Sequence, residues 1–265
     1  MLVTTSSSPP PKSAVITPYF REPTEKLWRC HNSVKSQSIS VDHIMVADGE
    51  PNSDVDTWDV QHIKLPIGMA DSGDTPRLIG LAVAYALNYE AIMLLDGDNW
   101  FEPRHAEEMI ATQLNSGASI VTCPRILRRL DESILSVCTE SDGDSFNDFN
   151  CYLFTHDALA ALRPLAFHDR RMAYFTDRFL WHHLRETGAL IVRSANPTVN
   201  YETTILAHYL DAGETPPPEA KNVVYFGDTG HTEALSADQW AALNQNQAFT
   251  VVPGHHKKPS TPEVS

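Results

Sequence analysis

The chain has 265 residues, 42% of them apolar, and a formal net charge of −14. That length suits one large α/β domain or two small ones, with apolar mass enough for a sizeable core. The acidic balance argues against nucleic acid or an anionic membrane as the main partner, since both need a basic footprint. It leaves room for a phosphorylated small ligand, which one local arginine or a metal ion can hold.

The opening MLVTTSSSPPPKS has no basic region and no apolar core, so it does not read as a signal peptide. Its Ser and Pro content predicts a disordered tail over 1–12. SAVITPYF (13–20) is a short apolar run and predicts a first strand. PTEKLWRCHNSV then repeats apolar residues at Leu27, Cys30 and Val34, a helical spacing, with Thr24 as N-cap. VDHIMVADGEP (41–51) predicts a strand stopped by Asp48-Gly49, and VQHIKLP (60–66) alternates like a half-buried strand.

DSGDTPRLIGLAVAYALNYE (71–90) predicts a helix capped by Asp74 or Thr75, with Pro76 in its first turn. The helix is apolar almost all round and is expected to pack on several sides. Its apolar run, LIGLAVAYAL, is half the roughly twenty residues of a membrane span, so no transmembrane segment is predicted. AIMLL (91–95) is a buried strand that runs straight into Asp96-Gly97-Asp98. PRHAEEMIATQLNSG predicts an amphipathic helix and ASIVTC (118–123) another strand. Such βα alternation implies a largely parallel sheet with helices on both faces, and ligands at the carboxyl ends of its strands. Asp48, Asp96 and Asp98 fall at such ends, and Arg77 sits in the first turn of a helix.

The second half is less regular. A strand and short helix are expected in NCYLFTHDALAAL (150–162), a helix over 176–188 ending at Gly188, and a late strand in ALIVR. SADQW (236–240) carries a Ser-x-x-Gln capping box and predicts a last helix, and 253–265 reads as a tail. Cys30, Cys123, Cys138 and Cys151 form no CxxC pair and are expected reduced and mostly buried, in a cytoplasmic protein.

Asp-x-Asp occurs at 54–56, 96–98 and 142–144. The first and third lie in polar stretches and predict solvated loops. Only the middle pair follows a buried strand. Residues i and i+2 of an extended segment point the same way, and Gly97 would let a ligand approach the backbone. Two hard oxygen ligands on one face suit Mg²⁺ or Mn²⁺, and a cation would offset the repulsion between two close carboxylates.

These pieces together resemble a GT-A fold, family 2-type glycosyltransferase: TPYFREP after the first strand, the strand ending VADGEP, the helix GDTPRLIGLAVAYAL, MLLDGDN, and FTDRFLWHHLRETG, spanning 14 to about 193. The order and spacing are specific, while no single motif is. The resemblance implies a Rossmann-like nucleotide-binding α/β domain over 13–252, its mixed sheet largely parallel. Residues 13–123 would form the nucleotide-sugar half and 124–252 the acceptor half.

By the same resemblance, Thr17, Pro18 and Tyr19 match the loop that packs against the base, and Asp48 matches the acid that contacts base or ribose. Asp74 and Arg77 match the helix start beside the nucleotide and its diphosphate. Asp96 and Asp98, around Gly97, match the pair that holds Mn²⁺ or Mg²⁺ bridging the diphosphate, and Asp177 matches the base for the acceptor hydroxyl. The family shows Glu-Asp where this chain has Thr176-Asp177, which leaves Asp144, Asp148 and Asp169 as alternative bases. Some GT-A enzymes add a late histidine to the metal, for which His208 and then His231 are candidates. His182 and His183, adjacent on a helix, point to different faces and are not a ligand pair.

The implied reaction is inverting transfer of a sugar from a nucleoside-diphosphate sugar, uridine ahead of guanosine, to a saccharide or other hydroxyl acceptor. An ordinary Asp pKa near 4 would leave the base ionised at pH 7. No Gln-x-x-Arg-Trp motif is present, which favours single addition over processive synthesis. Two other readings stay open: a non-catalytic sugar-nucleotide-binding protein, and a sugar nucleotidyltransferase. The second would carry a Gly-rich basic first loop, whereas TPYFREP has no glycine.

Overall fold

A computed structural model describes residues 10–167, 170–226 and 231–236. The first part of the chain runs β1 (Ser13–Tyr19), α1 (Thr24–Lys35), β2 (Asp42–Ala47), β3 (Gln61–Lys64), α2 (Asp74–Ala86), β4 (Ala91–Leu94), β5 (Trp100–Phe101) and α3 (His105–Ser116). It continues through β6 (Ile120–Thr122), β7 (Arg125–Arg128), β8 (Ile134–Val137), β9 (Tyr152–Thr155), α4 (Pro164–Phe167), α5 (Thr176–Glu186) and β10 (Ile191–Arg193). Last come β11 (Val199–Glu202), α6 (Leu206–Asp211) and the hairpin β12 (Lys221–Phe226) with β13 (His231–Ser236).

The central sheet has the order β10-β6-β9-β4-β1-β2-β3. Its strands run parallel except β9, which is antiparallel to β4 and to β6 and places Leu153 opposite both Met93 and Val121. Helices cover both faces, so β1 is buried along its whole length. The period of two sorts the side chains. Ile92 and Leu94 pack with Leu81 and Ala84 of α2 and with Leu180 and Leu184 of α5. Met93 and Leu95 pack on the opposite face with Cys30 and Val34 of α1 and Met109 of α3. Each Ile, Leu, Val or Met side chain among them stabilises the fold by about 1.5–3 kcal/mol on burial. This is the mixed, largely parallel sheet of a GT-A fold.

Two helix starts differ from expectation. α1 is capped at Pro23, and Thr24 is already helical, its hydroxyl accepting from Asn52 Nδ2 at 2.8 Å. α2 is capped at Gly73, whose φ of +83° turns the chain so that the Asp71 carboxylate accepts from the Thr75 hydroxyl and backbone N–H. Asp74 is thereby freed for a different partner. α2 also packs less completely than its composition suggests, since Tyr85 remains 54% exposed and stacks on His156. Its buried side lies very close to β1: a Cβ on Gly80 would stand 2.3 Å from Ile16.

A second sheet, β5-β11-β7-β8, was not legible in the sequence. Its strands are two to four residues long and bury polar groups such as Arg125 and Asn200, so no apolar alternation marks them. Of the last helix expected over 236–240, Ser236 closes β13 and the rest lies outside the described residues. The four cysteines are buried and free. Among the described residues no helix is long and apolar enough to cross a membrane.

Candidate functional site

β4 ends at Leu94 and delivers Asp96-Gly97-Asp98 to the rim of the central sheet. Asp96 is gripped on both oxygens: Arg77 Nη2 donates to Oδ1 at 2.9 Å and Asn150 Nδ2 donates to Oδ2 at 2.9 Å. Arg77 is buried and splits its guanidinium, Nη1 donating to Asp74 Oδ1 at 3.0 Å, while its flat face lies over the Phe149 ring. Asp74 Oδ2 accepts from the Thr176 hydroxyl at 2.8 Å. One buried chain of polar contacts thus joins the start of α5 to the end of β4.

Asp98 is placed differently. Its backbone carbonyl accepts from Arg29 Nη2 at 2.6 Å, while its half-buried carboxylate takes no hydrogen bond from another described residue. Burial, helped by Asp96 and Glu202 and opposed by Lys26, pushes its pKa up to about 7. Glu22 is pushed up to about 7 as well, first by burial and then by Asp98 and Asp96. Glu202 itself is held by Lys26 and by Arg29, the latter at 3.1 Å. A carboxylate short of donors among like charges is a fitting ligand for a divalent cation. Among the described residues no three His, Cys, Asp or Glu side chains gather to cage a metal. A cation on Asp96 and Asp98 would therefore draw its remaining ligands from phosphate and water, as Mg²⁺ and Mn²⁺ commonly do.

Gly97 has a packing reason that the sequence did not reveal. A Cβ there would stand 2.9 Å from Leu27 Cδ2 and 3.1 Å from Tyr19 Cβ, so the missing side chain lets α1 and β1 close beneath the pair. The other residues of the expected nucleotide pocket lie around the rim at different depths. Asp48 Oδ1 accepts from the Met69 N–H at 2.8 Å and so ties the turn after β2 to the chain leading into α2. Gly49 beside it, at φ +78°, abuts the backbone of Gly68. Pro18 is buried against Gly73. Thr17 turns into the core, its hydroxyl 2.8 Å from His43 Nε2. The Tyr19 phenol lies 2.7 Å from His62 Nε2 and accepts from the Asn52 N–H at 3.0 Å.

Asp177 stands in the first turn of α5 and lines a cavity of about 170 Å³ with Arg125, Asp148, Tyr201, Glu140 and His208. Burial first, then Asp148, pushes its pKa up to about 7, against the pull of Arg178. That corrects the expectation of an ordinary carboxylate. The cavity is joined to the carboxylate pair through Asn150, whose amide donates to Asp96 at 2.9 Å and to Asp148, on the cavity wall, at 2.7 Å. Arg125 pairs with Asp148, and its guanidinium lies over the Tyr201 ring at 4.1 Å. His208 belongs to this cavity, its Nδ1 2.6 Å from the Thr203 hydroxyl and its Nε2 3.5 Å from Glu140.

Of the other candidates, Asp144 is on the surface beside Arg185, and His182 pairs with Glu186 on the exposed face of α5. Asp169 and the side chain of His231 lie outside the described residues. The two sibling Asp pairs are local. Asp56 bonds His62 and Lys64, and Asp142 closes a turn by accepting from the backbone of Asp144 and Ser145. Sequence reasoning missed Asn150, Arg125, Tyr201 and Glu202. Asn150 carried a usable signal, a polar residue two positions before a buried strand, but β9 runs antiparallel and brings its amino end to the rim.

No family profile and no curated protein sequence matches the chain. Its fold matches solved structures of S. aureus TarS. It aligns with that protein at a TM-score of 0.57 and 11% identity over 76% of this chain and 38% of the other. With TarS 1–349 in complex with UDP it aligns at 0.54 and 13% identity over 76% of this chain and 63% of the other. With TarS 1–349 in complex with UDP-GlcNAc it aligns at 0.56 and 13% identity over 72% and 58%. This chain thus spans 38 to 63% of the length of those structures.

Proposed function

We infer that this GT-A chain transfers a sugar from a nucleoside-diphosphate sugar, with uridine as the base, to an acceptor hydroxyl. The observation that carries this reading is the pairing of two features: the Asp96–Asp98 carboxylates, with Asp96 held by Arg77, and a cavity linked to them through Asn150 and Asp148 with Asp177 in its lining. The UDP and UDP-GlcNAc complexes of TarS, which shares the fold, support a nucleotide-sugar donor.

In this reading Asp96 and Asp98 would hold Mn²⁺ or Mg²⁺, which would supply Lewis-acid stabilisation for the leaving diphosphate. Arg77, at the amino end of α2, adds positive potential from the protein itself. Asp177 accepts the proton of the acceptor hydroxyl as its oxygen bonds to the anomeric carbon and the bond to the diphosphate breaks. Attack from the side opposite the leaving group inverts the anomeric centre. The acceptor is then a saccharide or other hydroxyl-bearing group small enough to enter the cavity lined by Tyr201.

The test is donor hydrolysis and sugar transfer from UDP-sugars, with and without Mn²⁺, in wild type, Asp98→Ala and Asp177→Asn. We expect Asp98→Ala to lose most of the Mn²⁺-dependent rate. Asp177→Asn should lose about 10²–10⁴-fold in transfer, the usual worth of a general base, with UDP binding retained. Full activity in Asp98→Ala would sink the metal role. UDP binding by the wild-type protein with no turnover of any UDP-sugar would favour the binding-protein alternative.

A further inference from the structure

Asn150 is wholly buried in the turn Phe149–Cys151 that precedes β9. Its Oδ1 accepts from the Asp96 backbone N–H at 2.6 Å. Its Nδ2 donates to Asp96 Oδ2 at 2.9 Å and to Asp148 Oδ1 at 2.7 Å. One amide therefore uses its acceptor and both of its donors on two acidic residues. The orientation is dictated by chemistry: turned over, the amide would set its oxygen against two carboxylate oxygens and its NH₂ against an N–H.

No other small side chain fits these demands. An aspartate here would be a third carboxylate between Asp96 and Asp148. An apolar residue would leave the Asp96 N–H without the acceptor it has here. With Arg77 on Oδ1 and Asn150 on Oδ2, the Asp96 carboxylate cannot rotate, whereas Asp98 has no such clamp. Asp148 carries the link onward, since its other oxygen accepts from Arg125 in the wall of the cavity that holds Asp177.

We propose that Asn150 is a positioning residue: it sets the Asp96 carboxylate for a divalent cation and couples the donor carboxylates to the cavity through Asp148. The proposal rests on the reading that Asp96 and Asp98 hold a cation with the donor diphosphate. A side chain of this kind, behind a metal ligand, is typically worth 10–100-fold in metal affinity.

The experiment titrates Mn²⁺ into the full chain and follows free Mn²⁺ by electron paramagnetic resonance, with and without UDP. UDP affinity in EDTA and thermal melting are measured on the same samples. The proteins are wild type, Asn150→Ala and Asn150→Ser, the serine variant leaving room for a water where the amide stood. We expect both variants to bind Mn²⁺ about 10–100-fold more weakly, with metal-free UDP affinity unchanged. A merely structural role would lower both affinities together or neither. Wild-type Mn²⁺ affinity in folded variants overturns the proposal and leaves the metal reading standing. Wild type that binds no Mn²⁺ overturns the metal reading and this proposal with it. If both variants are unfolded, the amide serves the fold alone, which also overturns the proposal.

Discussion

Asp96 and Asp98 are two residues apart and live in different electrostatic worlds. Arg77 and Asn150 supply Asp96 with donors, whereas Asp98 sits among Asp96, Glu202 and Glu22 with Lys26 as its opposing charge. A carboxylate whose pKa is raised in the folded state binds a proton there that the unfolded chain has already released. Its contribution to stability is full below the unfolded value near 4 and is lost as pH rises through the folded value of about 7. The metal-free protein should therefore lose stability between about pH 4 and pH 7, with Glu22 and Asp177 acting in the same direction. Asp98→Asn removes one of these charges. It should stabilise the metal-free protein at pH 8 by about 1–2 kcal/mol, once solvent screening is counted, or a few degrees in Tm. Thermal melts across this range check it: a variant as pH-dependent as wild type, and no more stable at pH 8, would remove Asp98 as a source. In the proposed reading a bound cation would offset this cost.

At the scale of elements, the site is a meeting of ends. β4 brings the carboxylate pair, α2 brings Arg77, α5 brings Asp177, and the antiparallel β9 brings Asn150 by its opposite end. β4, α2 and α5 were legible because apolar periodicity and turn signals mark them locally, and Asp96, Asp98, Arg77 and Asp177 came with them. The role of the β9 end was not legible, because strand direction is a property of pairing and not of composition. The caps of α1 and α2 were misread for a related reason: Pro23 and Gly73 open the helices by backbone geometry, while Thr24 and Asp74 found tertiary partners and Thr75 bonds Asp71. Gly97 ties α1 and β1 to the site. Gly97→Ala must push Leu27 or Tyr19 aside, and overpacking of this sort costs typically 1–3 kcal/mol, which should show as a lower Tm. Adding Leu27→Ala to it should give a double variant less destabilised than the two single losses summed. Strict additivity would mean that Leu27 is not the side chain in the way.

For the whole molecule, the two halves of the rim are held together by contacts between residues far apart in the chain, such as Thr176 on Asp74 and Asn150 on Asp96. Ligand binding at that rim should stabilise the entire fold. UDP with Mn²⁺ at a hundredfold excess over its Kd adds about 2.7 kcal/mol, a shift of several degrees in Tm. Neither UDP in EDTA nor Mn²⁺ alone should reach that shift, and an equal shift with UDP in EDTA would argue that the cation plays no part in donor binding. Apolar runs with the periods of strands and helices determined, by the sequence alone, that this chain buries a parallel sheet between helices and carries Asp96 and Asp98 to its rim. What only the tertiary structure decided is which groups face them. Arg77, Asn150, Glu202 and the cavity around Asp177 arrive through pairings between distant segments, and long-range packing sets their burial, hence their pKa values, in ways that no local pattern encodes.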